Sequence, residues 1–183
     1  MLHEILSLVQ ESRGVVNVKT ILVVDDRLDD VDLLKLMFRR SRILNPLHVV
    51  HTTLDAICYL KGEGRFADRD VHPFPALVLL DLHLPDGHGF DVLRWVHDHQ
   101  PESSLAVVVL TGSDVHAIRQ SYELGSHSFL TKPLKYEDFE NMVRNVRGIK
   151  LTNTGYGSLL EVEEPLHVLP GSQLGPATTS LIS

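Results

Sequence analysis

The segment ALVLLDLHLPDG, residues 76–87, joins five apolar residues to Asp81 and then to a turn sequence with proline and glycine. A short, almost continuous apolar run of this kind is typical of a strand that is buried on both faces of a parallel sheet. Four further runs rich in β-branched residues predict strands of the same kind, at 21–25, 47–51, 105–110 and 127–131.

Helical patterns alternate with these predicted strands. In the last of them Phe139, Met142, Val143 and Val146 fall at i, i+3, i+4 and i+7, which places one apolar stripe against a sheet. The five predicted helices cover residues 28–41, 53–61, 88–99, 114–124 and 136–147. Five strands alternating with five helices predict a doubly wound five-stranded parallel α/β fold of flavodoxin-like type.

The two ends of the chain differ from this central domain, which we place at residues 20–147. Residues 1–19 form an N-terminal extension with apolar residues at helical spacing, which predicts a short amphipathic helix. Residues 148–183 contain 5 of the 12 glycines and 3 of the 9 prolines, together with many serines and threonines. That composition predicts a flexible C-terminal tail.

The composition of the chain indicates which types of binding partner and which cellular compartment to expect. The formal net charge of −7 disfavours direct binding to nucleic acid or to an anionic membrane, since both select a basic surface. The single cysteine, Cys58, cannot form an internal disulfide, so we expect a reducing, cytoplasmic environment. The sequence has neither a basic leader typical of a signal peptide nor an apolar run long enough for a membrane span.

Polar residues with complementary chemistry follow the predicted strands. The first strand ends in Asp25 and Asp26, the third in Asp81, the fourth in Thr111, and the fifth just before Lys132. Ligands of open α/β sheets bind at the carboxyl ends of the strands, so these groups should converge. Any one of them alone could be a helix cap, a turn residue or a surface charge. Three converging carboxylates, however, repel one another unless a cation such as Mg²⁺ balances them.

Four motifs in this order resemble the receiver domains of two-component response regulators, over about residues 20–147. They are ILVVDDR (21–27), LVLLDLHLPDGHGF (77–90), VVVLTGS (107–113) and SHSFLTKPL (126–134). The resemblance implies the (βα)5 receiver fold and makes Asp81 the phosphoacceptor. It also implies that Asp25, Asp26 and Asp81, with the backbone carbonyl of His83, hold Mg²⁺.

The resemblance assigns roles around the phosphoryl group as well. Thr111 and Lys132 would contact phosphoryl oxygens, and Gly112 would leave room for the group. Lys132–Pro133 matches a peptide bond that is cis in the family, which proline makes inexpensive. Phe129 takes the place of the aromatic residue that, with Thr111, forms the family's conformational switch.

These roles imply a signalling protein rather than a turnover enzyme. A sensor histidine kinase would donate its phosphoryl group to Asp81, and the chain would signal through partner binding or self-association, since no helix-turn-helix pattern follows the receiver. The long connection at 61–75 and the segment 121–134 look like the stand-alone regulators that work with bacterial phytochromes. That narrower resemblance implies a homodimer through the last two helices and the fifth strand. A generic surface loop is the alternative reading of residues 61–75.

Other functional classes fit less well. An aspartate-nucleophile phosphatase needs a second aspartate two residues after the nucleophile, where this chain has His83. A flavodoxin needs a Ser/Thr/Gly phosphate loop after the first strand, where this chain has Asp-Asp-Arg. A degenerate receiver that acts only as a binding module is the remaining alternative, but every acceptor, metal and Thr/Lys position is filled. His97 and His99 point to different faces of a helix, which disfavours a histidine metal site there.

Overall fold

The computed structural model describes residues 18–99, 105–112, 114–146 and 148–162. The predicted N-terminal helix therefore lies outside the described residues.

One sheet contains five parallel strands: β1 (Thr20–Val24), β2 (Leu47–Val50), β3 (Pro75–Asp81), β6 (Ala106–Thr111) and β7 (Ser128–Thr131). Their order across the sheet is β2-β1-β3-β6-β7. The predicted doubly wound parallel fold is confirmed.

Helices cover both faces of this sheet. They are α1 (Leu28–Arg40), α2 (Thr53–Lys61), α3 (Gly89–His99), α4 (Val115–Glu123) and α5 (Tyr136–Asn145). Alternate residues along each central strand face opposite helix layers, as the two-residue period of a strand requires. Ile21 and Val23 of β1 pack with α1 and α5, whereas Leu22 and Val24 pack with α2 and α3. Every residue of β1, β3 and β6 is buried, which explains their continuous apolar runs.

A small hairpin, which the sequence did not predict, links β3 to α3. Its two short strands, β4 (His83–Leu84) and β5 (Gly87–His88), pair in antiparallel orientation, with His83 opposite His88. The proline–aspartate pair between them forms the turn, as expected from the turn preferences of these residues. We refer to residues 83–88 as the acceptor hairpin, because it begins two residues after Asp81.

The connection at residues 61–75 is packed against the domain. Gly62 ends α2 in the left-handed conformation (φ 73°), and the Arg69 guanidinium lies where a Cβ atom at Gly62 would be. That guanidinium donates to the carbonyl oxygens of Tyr59, Leu60 and His72 at 2.8–3.1 Å. Its bonds to Tyr59 and Leu60 satisfy carbonyl groups that the end of a helix leaves free, and its bond to His72 holds the connection against that end.

Residues 149–162 correct the prediction that the whole of 148–183 is a flexible tail. They form an antiparallel hairpin of β8 (Ile149–Asn153) and β9 (Ser158–Val162). Ile149 and Leu160 join the core on the α1 and α5 side of the sheet. The glycines and threonines that suggested flexibility belong here to a tight turn, in which Gly155 has a φ of 87°. Residues 163–183 lie outside the described residues.

Asn45 attaches this C-terminal hairpin to the domain. Its side-chain amide nitrogen donates to the carbonyl oxygens of Lys19 (2.8 Å) and Leu160 (2.9 Å), and its oxygen accepts from the Leu160 N–H (2.7 Å). Asn45 and Leu160 are both buried, so solvent cannot replace the two bonds between them. A buried polar group without a partner costs roughly 1–3 kcal/mol.

We expect Asn45→Ala to lower the free energy of unfolding by about 2–4 kcal/mol, because it leaves the buried N–H and carbonyl groups of Leu160 unpaired. Urea unfolding would measure this change. Asn141→Ala on the exposed surface of α5 is the control and should stay within about 0.5 kcal/mol of wild type. Equal stability of the two variants would show that Asn45 does not anchor the hairpin.

Candidate functional site

The register of the parallel sheet brings the predicted site residues to one edge. Val24 of β1 lies opposite Leu80 of β3, so Asp25 and Asp81 leave the sheet side by side. Thr111, the last residue of β6, lies opposite Thr131, which directly precedes Lys132. Because all these strands run in the same direction, their carboxyl ends form one crevice.

Three carboxylates meet in this crevice. Carboxylate oxygens of Asp25, Asp26 and Asp81 all lie within 4.8 Å of one another. Asp25 is fully buried and Asp81 is 4% exposed, whereas Asp26 is open to solvent. Backbone N–H groups hold the two buried side chains: Arg27 donates to Asp25 Oδ1 and His83 to Asp81 Oδ1, each at 2.9 Å.

Lys132 crosses the crevice and joins these acids. Its Nζ lies 2.5 Å from Asp81 Oδ2 and 2.9 Å from Asp25 Oδ2. It also pairs at 2.9 Å with Asp30, in the first turn of α1. Asp30 was not predicted as a site residue, since its position suggested only a favourable charge at the start of a helix.

Burial and ion pairing have opposite effects on the pKa values of the ionisable groups in the crevice. Burial raises the pKa of Asp25 above its ordinary value, and the hydrogen bonds from Lys132 and the Arg27 N–H only partly oppose this. Burial alone would lower the pKa of Lys132, but its hydrogen bonds to Asp81, Asp25 and Asp30 raise it above the ordinary value. Lys132 is therefore charged at neutral pH.

The donor set fits a hard divalent cation. Asp25, Asp26, Asp30 and Asp81 carry four negative charges when ionised, against the positive charges of Lys132 and of Arg27, which pairs with Asp30 at 3.2 Å. The remaining charge is −2, which one divalent cation would neutralise. Carboxylate oxygens near a solvent-exposed group such as Asp26 suit Mg²⁺, which keeps several waters in its coordination shell.

Thr111 provides a second sign that a ligand belongs in the crevice. Its Oγ1 is buried and has no hydrogen-bond partner among the described residues, and the residue is 1% exposed. Buried hydroxyl groups are nearly always paired. A phosphoryl oxygen at Asp81 is a partner that the resemblance predicts for this hydroxyl.

The remaining predicted residues lie where the motifs placed them. The Lys132–Pro133 peptide is cis, as expected. The space beside Gly112 is open, since a Cβ there would meet no atom within 4 Å. Phe129 is half-buried on β7, and its ring lies edge-on to Tyr122 of α4 with the ring centroids 6.1 Å apart.

Sequence reasoning missed two residues that hold the acceptor hairpin in place. A Cβ at Gly89 would lie 2.3 Å from the Asp81 carbonyl oxygen, so only glycine fits there without a backbone shift. The glycine within LPDGHGF was a visible signal, but its contact is tertiary. Asp86 accepts hydrogen bonds from the N–H groups of Thr53 (2.8 Å) and Leu54 (3.0 Å) at the start of α2. No sequence signal connects residues so far apart.

Comparison with known proteins agrees with this architecture. A family model described as the response regulator receiver domain matches residues 21–144. The response regulator Rcp1 of Synechocystis sp. (strain ATCC 27184 / PCC 6803 / Kazusa) is 32% identical over 134 residues, which cover 73% of this chain and 89% of Rcp1.

Two solved structures are similar over most of the domain. The bacteriophytochrome response regulator RtBRR is 36% identical with a TM-score of 0.62, over 68% of this chain and 75% of that protein. The Mn²⁺-bound form of Rcp1 is 28% identical with a TM-score of 0.63, over 74% of this chain and 99% of that one. Fold, motif positions and relatives agree, and the chain belongs to the response regulator receiver family of two-component systems.

Proposed function

We propose that this chain is a response regulator that accepts a phosphoryl group on Asp81 from a sensor histidine kinase. The observation that carries the proposal is the convergence of Asp81 with Asp25, Asp26 and Lys132 beside the unpaired hydroxyl of Thr111. Carboxylates of this kind form aspartyl-phosphates by nucleophilic attack. A degenerate receiver lacks one or more of these groups, whereas this chain has all of them.

The chemistry follows from what each group can do. An Asp81 carboxylate oxygen attacks phosphorus, and the P–N bond of the kinase phosphohistidine breaks, so that the electron pair returns to the imidazole. Lys132, already at Asp81, balances the charge of the transferred group, and the Thr111 hydroxyl donates to one of its oxygens. Asp25, Asp26, Asp81 and the His83 carbonyl would hold Mg²⁺, which would withdraw charge from the phosphoryl group.

Phosphorylation would be transmitted by the switch pair. The added group brings a charge of about −1.5 to −2 and attracts Thr111, whose movement would free space for the half-buried Phe129 ring. The surface of α4, β7 and α5 would change shape in response and would be recognised by a partner or by a second copy of the chain. A groove of about 420 Å³ between β7 and α5 lies on this surface.

The identity of the kinase is a narrower part of the proposal. RtBRR is by name a bacteriophytochrome response regulator and shares 36% identity with this chain, which supports a phytochrome-type kinase as the partner. The charge of −7 is consistent with a protein partner rather than nucleic acid. Among the described residues, no helix is long and apolar enough to cross a membrane.

Asp81→Asn should abolish phosphate incorporation from acetyl phosphate in the presence of Mg²⁺, because an amide cannot act as the nucleophile. Mass spectrometry of the intact full chain would measure incorporation. The exposed substitution Asp70→Asn is the matched control and should leave incorporation unchanged. Incorporation that persists in Asp81→Asn, or that ignores chelation of Mg²⁺, would contradict the proposal.

Gly89→Ala should slow phosphorylation of Asp81 by roughly tenfold or more, since small displacements of reacting groups cost large factors in rate. The new methyl group would displace the Asp81 carbonyl, which is 2.3 Å from its position. Gly87→Ala in the same hairpin is the control, because its nearest neighbour would lie at an ordinary 3.5 Å. Equal rates for the two variants, with both folded by circular dichroism, would contradict the expectation.

His83 is expected to control the lifetime of phospho-Asp81. Its backbone N–H contacts Asp81, while its exposed imidazole has Nδ1 3.9 Å from Asp81 Oδ1, where it can limit access of water. We expect His83→Ala to speed dephosphorylation by up to about tenfold, equivalent to about 1.4 kcal/mol in the barrier. Phosphate release from the purified phosphoprotein measures this, with His88→Ala on the facing strand as control. A rate of phosphate release from His83→Ala equal to that of wild type would contradict this expectation.

A further inference from the structure

Residues 51–54, which lead into α2 and begin it, contact both Asp25 and the acceptor hairpin. On one side, His51 Nδ1 lies 2.8 Å from the backbone carbonyl oxygen of Asp25. On the other side, Asp86 of the acceptor hairpin accepts from the Thr53 and Leu54 N–H groups. Residues 51–54 thus connect the strand end that carries the acidic pair to the hairpin that follows the phosphoacceptor. We call this segment the α2 bracket.

The contact with Asp86 is strong for a surface interaction. The first N–H groups of a helix have no partner within the helix and carry the positive end of its dipole. Thr52 satisfies one of them locally, since its hydroxyl accepts from the Asp55 N–H at 3.0 Å. Asp86 satisfies the two before it from outside the helix, one with each carboxylate oxygen. Hydrogen bonds to ionised acceptors are about twice as strong as neutral ones.

The hairpin held in this way carries proposed metal and phosphoacceptor contacts. It begins at His83, whose N–H donates to Asp81 and whose carbonyl oxygen is a proposed Mg²⁺ ligand. Its other end is fixed where the Gly89 N–H donates to the Leu82 carbonyl at 3.0 Å. Between these ends, the Asp86 contacts join the turn to a helix. Apart from the buried Leu84 side chain, which packs into the core, these contacts attach the turn to the rest of the domain.

We propose that Asp86 is a positioning residue for the metal site. Its hydrogen bonds to Thr53 and Leu54 hold the acceptor hairpin against the α2 bracket. The hairpin, held in this way, fixes the His83 carbonyl relative to Asp25 and Asp26. Asp86 itself need not touch the metal or the phosphoryl group. Its loss would widen the range of hairpin positions and weaken metal binding. Partners that orient metal ligands commonly change metal affinity by about 10–100-fold. The inference rests on the proposed function for the metal's role, but metal affinity can be measured without phosphorylation.

The test compares the full-length wild type with Asp86→Ala, Asp86→Asn and Asp68→Ala. Asp68→Ala is the matched control, because Asp68 is also an exposed aspartate that accepts from two backbone N–H groups, but it lies in the connection before β3, outside the α2 bracket and the acceptor hairpin. Binding of Mn²⁺, followed by the electron paramagnetic resonance signal of the free ion, gives the metal affinity directly. The Mg²⁺ dependence of phosphorylation by acetyl phosphate gives a second, functional measurement.

We expect Asp86→Ala to weaken Mn²⁺ binding by roughly tenfold and to raise the half-saturating Mg²⁺ concentration by a similar factor. The phosphorylation rate at saturating Mg²⁺ should change much less. Asp86→Asn keeps one acceptor oxygen without the charge and should fall between Asp86→Ala and wild type, whereas Asp68→Ala should match wild type. Urea unfolding of all four proteins confirms that each is folded under the assay conditions.

Two results separate this inference from the proposed function. Mn²⁺ affinities that are equal for Asp86→Ala and Asp68→Ala would overturn the positioning role of Asp86, whatever happens in phosphorylation. A wild type that binds Mn²⁺ but takes up no phosphoryl group would overturn the proposed function, while the Mn²⁺ titrations would still decide whether Asp86 positions the site.

Discussion

The ion pairs of Lys132 are the interaction on which the organisation of the site depends. A single ammonium group contacts Asp25, Asp30 and Asp81, which come from the end of β1, the start of α1 and the end of β3. Two of these carboxylates are almost completely buried, and their mutual repulsion would otherwise oppose folding. One cation does not neutralise all the acids, and the residual negative charge is what suits the crevice to a divalent metal.

The parallel sheet supplies the rigid base for this arrangement. Asp25, Asp81, Thr111 and Lys132 each follow or end a strand, so their positions are set by strand register rather than by loop conformation. Side chains held by buried strands lose little additional freedom when a ligand binds. The acceptor hairpin differs, because it is short and exposed, and it depends on contacts with Gly89 and with the first turn of α2.

Polar contacts between distant segments also define the edges of the domain. Asn45 joins the start of β2 to the C-terminal hairpin, and Arg69 fixes the connection before β3 to the end of α2. Both side chains complete backbone hydrogen bonding where regular structure stops.

The sequence by itself determined the order and type of the five strand–helix units, because continuous apolar runs and helical stripes are local patterns. It also determined the composition of the crevice, since Asp25, Asp26, Asp81, Thr111 and Lys132 all occur at predicted strand ends. The sequence could not indicate Asp30, Gly89 or Asp86, because their importance comes from contacts between segments that only packing brings together. The C-terminal hairpin was missed for the same reason: glycine-rich composition describes its turn, whereas burial of Leu160 against Asn45 decides that it folds.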